Sequence, residues 1–187
     1  MSGESEHFKK GLAVRRDVLG KDYVDGSIAK ADDFMMAFQE ITTEWCWGYA
    51  WTRPGLDRKT RSMLNLAMLT ALKARGIPTG ILSNGDPDML AVAVKSAGLD
   101  DLLDHVISVD STRKYKTHPD AYALGPQTLG LEAKQIAFVS CNGWDALAAT
   151  WYGFRTLWVN RYQLPFEELG TPPTRTGTSL RDVLSFF

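Results

Sequence analysis

The sequence changes its periodicity once, at Gly76, and that change limits what the chain can fold into. Beyond it, short apolar runs at 77–82, 105–109, 136–140 and 156–159 alternate with longer helical stretches. Such alternation calls for parallel strands, because parallel neighbours cannot be joined by a tight turn and need crossover helices. Helices are predicted over 87–97, closed by Gly98, over 119–129 before Gly130, and over 145–152. A terminal helix is predicted over 179–186, after a Pro/Thr-rich loop at 171–178.

Ahead of Gly76 the pattern is helical throughout. Phe8, Leu12, Val14 or Arg15, and Leu19 recur at three- and four-residue steps and stop at Gly20, a suitable C-cap. A second helix is predicted to open after Ala31, with Asp32 and Asp33 in the first turn where carboxylates complement the helix dipole. It carries Phe34, Met35, Phe38, Ile41, Trp45 and Trp47 towards Trp51, a Trp-rich stretch that reads as plain core. A turn over 52–55 leads to a third helix starting at Asp57, whose Leu64, Leu66, Ala67, Met68, Ala71 and Leu72 are apolar almost all round and demand burial. The expected architecture is α/β: about three N-terminal helices, then a truncated Rossmann-like parallel sheet of about four strands with flanking helices. The expected division is 1–73 and 74–187.

Composition narrows the function classes. With 44% hydrophobic and 23% charged residues the chain belongs with globular proteins rather than disordered ones. A net charge of −1 without a Lys/Arg block speaks against nucleic-acid binding, which needs clustered cations; Arg58, Lys59 and Arg61 read as a solvated first helical turn. No stretch approaches the ~18 apolar residues of a membrane span, and the first residues lack a secretory pattern, so a cytoplasmic location is expected. Cys46 and Cys141 share no metal or redox spacing and are expected to be buried thiols.

The chemistry-bearing residues sit where strands should end. Ser83 and Asn84 follow one strand and precede a helix, which aims a hydroxyl and backbone amides into the crevice at the carboxyl ends of the strands. That is an anion cradle, although Ser-Asn-Gly is also an ordinary strand-exit turn. Lys116 lies in Lys-Tyr-Lys-Thr-His-Pro-Asp-Ala-Tyr, residues 114–122, and a lysine beside carboxylates keeps them ionised. Lys114 reads as solvated; Tyr122 reads as a site phenol or as packing. Ser140, Asn142 and Asp145 close the set, with Gly143 allowing a tight turn and Trp144 offering an apolar wall. His105 and His118 lack metal-ligand spacing and read as structural, so no metal and no cofactor is expected.

In this order Ile-Leu-Ser-Asn-Gly, the Lys116 segment and Phe-Val-Ser-Cys-Asn-Gly-Trp-Asp resemble the L-2-haloacid dehalogenases of the haloacid dehalogenase superfamily, over residues 74–187. The resemblance implies hydrolytic dehalogenation of small 2-haloalkanoic acids. It assigns Lys116, Ser140, Asn142 and Asp145 to charge balance and water positioning, and Ser83, Asn84, Tyr122 and Trp144 to the substrate. It also implies a nucleophilic Asp at the end of a strand lying between the 77–82 and 136–140 strands, and a cap domain with a substrate-side Arg. Residues 1–80 show no such strand; Asp86 and Asp88 read as helix caps.

Residues 11–72 resemble instead the first half of a carboxymuconolactone decarboxylase, through Glu44, Cys46, Trp47, Gly48, Trp51, Arg53, Pro54, Gly55, Leu56, Asp57 and Arg61. The segment stops before the His-bearing part that this family uses for proton transfer. The chain thus reads as two joined fragments, with the join near Ala71, Leu72 and Lys73 inside a helix common to both.

Three expectations follow. Without a central strand, two half-sheets would face each other across a slot; each unpaired buried backbone group costs about 1–3 kcal/mol, so the two strands are expected to close and pair directly. Turnover is expected to be weak or nil, the alternatives being a non-catalytic carboxylate- or phosphate-binding or assembly module and residual decarboxylase-like activity. The expected partner is a small carboxylate-bearing substrate or anion, with no nucleic acid and no membrane, and the decarboxylase resemblance implies a homo-oligomer through the N-terminal helices.

Overall fold

A computed structural model of the chain describes residues 5–52, 54 and 67–187. The chain divides into two compact units: Met1–Ala67 with Gly85–Leu102, and Met68–Asn84 with Leu103–Phe187.

The first unit is helical. Helix α1, Glu6–Leu19, starts where the Ser5 hydroxyl accepts from the Phe8 N–H at 3.0 Å, and stops at Gly20, whose φ of 91° suits a residue without Cβ. Helix α2, Lys21–Lys30, follows at once; it buries only Val24, so it has no apolar period to betray it. Helix α3, Asp33–Ile41, opens as expected, with Asp32 accepting from the Met35 N–H at 2.9 Å. It runs into a π-helix, Thr42–Ala50. Helix α4, Pro87–Ser96, is capped by Asp86 and completes the unit.

Two details correct the expectations. Trp45 is exposed on the π-helix, so the Trp-rich stretch is not plain core. Cys46 and Cys141 are both exposed rather than buried. What packs at the crossing of α1 and the π-helix is glycine on glycine: a Cβ on Gly11 would run into the Thr43 carbonyl oxygen, and one on Gly48 into the His7 carbonyl oxygen. The expected helix start at Asp57 falls on 55–66, outside the described residues; 67–73 are helical.

The second unit holds the strands. Strands β1, Gly80–Ser83, and β2, His105–Ser108, pair in parallel, and β3, Ala137–Ser140, β4, Arg155–Val159, and β5, Arg175–Gly177, form a second parallel sheet in that order. The expected α/β class and parallel pairing hold, but the expected direct pairing of β1 with β3 does not occur. The strands stay in two sheets, each with its own ladder, and β5 arises inside the segment read as loop.

Side chains from both sheets meet in one apolar cluster. Tyr122, on helix α5, Pro119–Leu129, is wholly buried and packs with Leu82 of β1 and Phe138 of β3, and with Ala148 and Ala149 of helix α6, Gly143–Tyr152. A second core gathers Leu72, Leu157, Val159, Val183 and Phe186, with Met68 packed against it, while Ala67, Thr70 and Lys73 of the same helical turns are exposed. The C-terminal segment, Leu180–Phe186, is a 3-10 helix rather than an α-helix.

Candidate active site

The ends of β1 and β3, the start of α6 and the loop before α5 bring the predicted residues into one unit. Ser83 is the last residue of β1, and Asn84 follows it. Asn84 Oδ1 accepts from the Lys116 backbone N–H at 3.0 Å, which fastens the lysine segment to the end of β1. His118 caps α5 by accepting from the Asp120 N–H, and Pro119 supplies its first turn. Ser140, the last residue of β3, is buried, and its Oγ accepts from the Asn142 N–H at 3.1 Å.

Asp145 sits in the first turn of α6, where the helix dipole favours a carboxylate. Lys116 Nζ donates to its Oδ2 at 3.1 Å, and the Tyr122 hydroxyl donates to its Oδ1 at 2.8 Å. The lysine and aspartate side chains are 11% and 4% exposed, so this ion pair is nearly out of water. Burial pushes the Tyr122 phenol well above its usual value, and the charge and hydrogen bond of Asp145 push it further. The phenol is therefore a fixed donor across the physiological range. Both Asp145 oxygens carry strong donors, which suits an acid that balances an ammonium better than one that attacks carbon.

Trp144 points outward enough to be 43% exposed, next to the pair in sequence. Two neighbours escaped the sequence reading. The Phe138 ring lies 5.3 Å from Lys116 Nζ, a cation–π contact on the apolar side of the ammonium. Glu167, from the irregular segment after β4, comes so near the start of α6 that a Cβ on Gly143 would lie 3.5 Å from its Oε1. Strand alternation could have pointed to Phe138, but nothing local could have pointed to Glu167. No group of three or more His, Cys, Asp or Glu that could hold a metal occurs among the described residues.

The sequence model of the haloacid dehalogenase-like hydrolases matches residues 13–153. The chain belongs to that family. It is 43% identical over 144 residues to an (S)-2-haloacid dehalogenase of Pseudomonas sp. strain YL, covering 71% of this chain and 62% of that protein. It is 46% identical over 82 residues to a nitrosuccinic acid decarboxylase of Metarhizium robertsii, covering 42% of this chain and 57% of that protein. The chain thus spans roughly three fifths of the length of these two curated relatives. Among solved structures, the L-2-haloacid dehalogenase RSc1362 is 38% identical, with a TM-score of 0.67 covering 100% of this chain and 87% of that one. The family match starts at residue 13 and so runs across the expected division at residue 73. No helix among the described residues is long and apolar enough to cross a membrane.

Proposed function

We propose that the chain carries the charge-balancing part of a 2-haloacid dehalogenase site, which binds the carboxylate of a small 2-haloalkanoic acid and turns it over weakly or not at all. The observation that carries this reading is the buried Lys116, Asp145 and Tyr122 set beside Ser83 and Asn84. In the reaction proposed for such a site, a carboxylate oxygen attacks the halogen-bearing carbon, the carbon–halogen bond breaks to release halide, and water cleaves the resulting ester. Lys116 and the amides near Ser83 are suited to hold the substrate anion, and Ser140, Asn142 and Asp145 to hold the water and the charge. The attacking carboxylate is the part in short supply. Asp145 is committed to two donors, and among the described residues no strand precedes β1. The separation of the parallel strands into two sheets between β1 and β3, where the nucleophile's strand would lie, favours the same reading.

Chloride release from L-2-chloropropionate by the full chain tests it, together with calorimetric titration of the same acid. The expected result is binding that Ser83→Ala and Lys116→Ala weaken, with chloride release at or near the uncatalysed rate. Steady release that Lys116→Ala abolishes would overturn the impairment, and Glu167→Gln and Asp145→Asn would then identify the acid. No binding would overturn the site itself.

A second reading concerns the helical segment. Its resemblance to carboxymuconolactone decarboxylases gains support from the similarity to the nitrosuccinic acid decarboxylase, whose matched share of this chain is about what such a segment would contribute. On that reading the chain is a fusion of two fragments, divided at 73. Loss of carboxylate from 4-carboxymuconolactone on incubation with the chain would show that this segment retains chemistry; none is expected, because its proton-transfer segment is not part of the resemblance.

A further inference from the structure

Among the described residues, one buried side-chain polar atom of the second unit has no hydrogen-bond partner, the indole Nε1 of Trp158. Trp158 lies on β4 and is only 3% exposed. It stands opposite Ser140 in the β3–β4 ladder, so the two side chains leave the sheet on the same face. The indole edge meets the start of α6: Cζ2, bonded to the carbon that carries Nε1, lies 3.5 Å from the Cβ position of Gly143. A buried indole nitrogen can only donate, and one left without an acceptor is costly and scarce.

The helix start has the same need. The first turn of a helix leaves N–H groups without intrahelical acceptors, and Asn142, the N-cap residue of α6, makes no capping bond with its side chain. The helix dipole favours an anionic acceptor there. Such an acceptor lies alongside. Glu167 Oε1 and Cγ are each 3.5 Å from that same Cβ position of Gly143, so carboxylate and indole edge flank one point. Glu167 is exposed, and among the described residues no side chain donates to its carboxylate. Its segment is already anchored. Asn160 closes the preceding loop by accepting from the Leu164 N–H and donating to the Leu164 carbonyl, each at 2.9 Å, and the Phe166 ring lies 6.2 Å from the Trp158 ring. An external anion is a poorer occupant, because Glu167 would repel it.

We propose that Glu167 is a positioning residue whose carboxylate docks on the Trp158 indole N–H and the first amides of α6, strapping residues 165–169 across the helix start. Hydrogen bonds to an ionised acceptor are the stronger kind, and one exposed side chain has only to turn to make them. Asp145 is the third residue of that helix, so the docked carboxylate steadies the acid that receives the Lys116 ammonium. What Asp145 then serves rests on the function proposed above; the docking does not.

Assigned amide and indole NMR spectra of the full chain test it. Chemical shift and hydrogen exchange are read at the Trp158 indole and at the amides of Gly143, Trp144 and Asp145, in the parent and in Glu167→Ala, Glu167→Gln and Glu168→Ala. In Glu167→Ala the indole signal is expected to move upfield and all four protons to exchange about tenfold faster, the effect of losing one cap. Glu167→Gln keeps an oxygen at the same reach and should restore part of the indole protection, which loss of charge alone would not do. Glu168→Ala removes a neighbouring exposed carboxylate and should match the parent. An indole signal unmoved in Glu167→Ala would show that water meets the donor and would overturn the proposal; so would equal effects of Glu168→Ala. Haloacid binding is no part of this readout, so its failure and that of the docking are told apart.

Discussion

Lys116→Ala is the substitution whose cost the structure sets most directly. The ammonium lies 3.1 Å from Asp145 Oδ2, with the two side chains 11% and 4% exposed. At an effective dielectric of about 20, such a pair attracts by roughly 5 kcal/mol before desolvation is counted. Deleting the lysine leaves Asp145 buried with its charge and a single donor, Tyr122, and stranding one member of a buried pair costs about 3–5 kcal/mol. The residual exposure of Lys116 and the surviving Tyr122 bond place the expected loss at the low end, about 3 kcal/mol. For a chain of this size that is a fall in Tm of roughly 6–12 °C. Urea unfolding followed by circular dichroism measures it, and Asp145→Asn in the Lys116→Ala background separates the terms. Removing the stranded charge should return part of the loss, giving a coupling energy of about 1.5–3 kcal/mol in the double-mutant cycle. A Lys116→Ala protein within about 0.5 kcal/mol of the parent, or strictly additive substitutions, would refute the argument.

Two further outcomes are expected. Tyr122→Phe should lose about 1–2 kcal/mol at neutral pH through the missing bond to Asp145. Because burial raises the Tyr122 phenol above its unfolded value near 10, its stabilisation is complete below about pH 10 and falls as pH rises beyond, by up to about 1.4 kcal/mol per unit. The variant should therefore show a shallower alkaline limb in denaturation midpoints, the remaining slope coming in part from Tyr23, which burial pushes up to about 12. Gly48→Ala should destabilise the helical unit by about 3 kcal/mol, since its Cβ meets backbone at His7, whereas Gly26→Ala, with nothing within 4 Å, should be neutral or stabilising by up to about 1 kcal/mol. Equal thermal midpoints for the two alanine variants would show that the Gly11–Gly48 crossing is not tight.

Much of the site could be read in advance because its parts are local signals. Ser83, Asn84, Ser140, Asn142 and Asp145 mark strand ends by their own turn chemistry, and Lys116 precedes a helix start announced by His118 and Pro119. Others left no such trace. Helix α2 has one buried apolar residue and hence no period, and Glu167 reaches α6 from an irregular segment. Arg15 and Val14 are alternatives for the inner face of α1 by periodicity; Arg15 is the buried one, bonded to Thr43 of the π-helix, a contact that no periodicity encodes.

The order of strands and helices after Gly76, their caps and the residue types at their ends follow from the chain's own pattern, since hydrogen bonding and apolar period act over a few residues. Which strands share a ladder, and which polar groups are stranded together, depends on contacts between distant segments. The cost of unpaired backbone groups favoured one sheet on paper, but that cost holds only for buried groups, and most residues of β1 and β3 are not fully buried. Pairing is a competition among surfaces, and a linear sequence states the competitors without stating which of them meet.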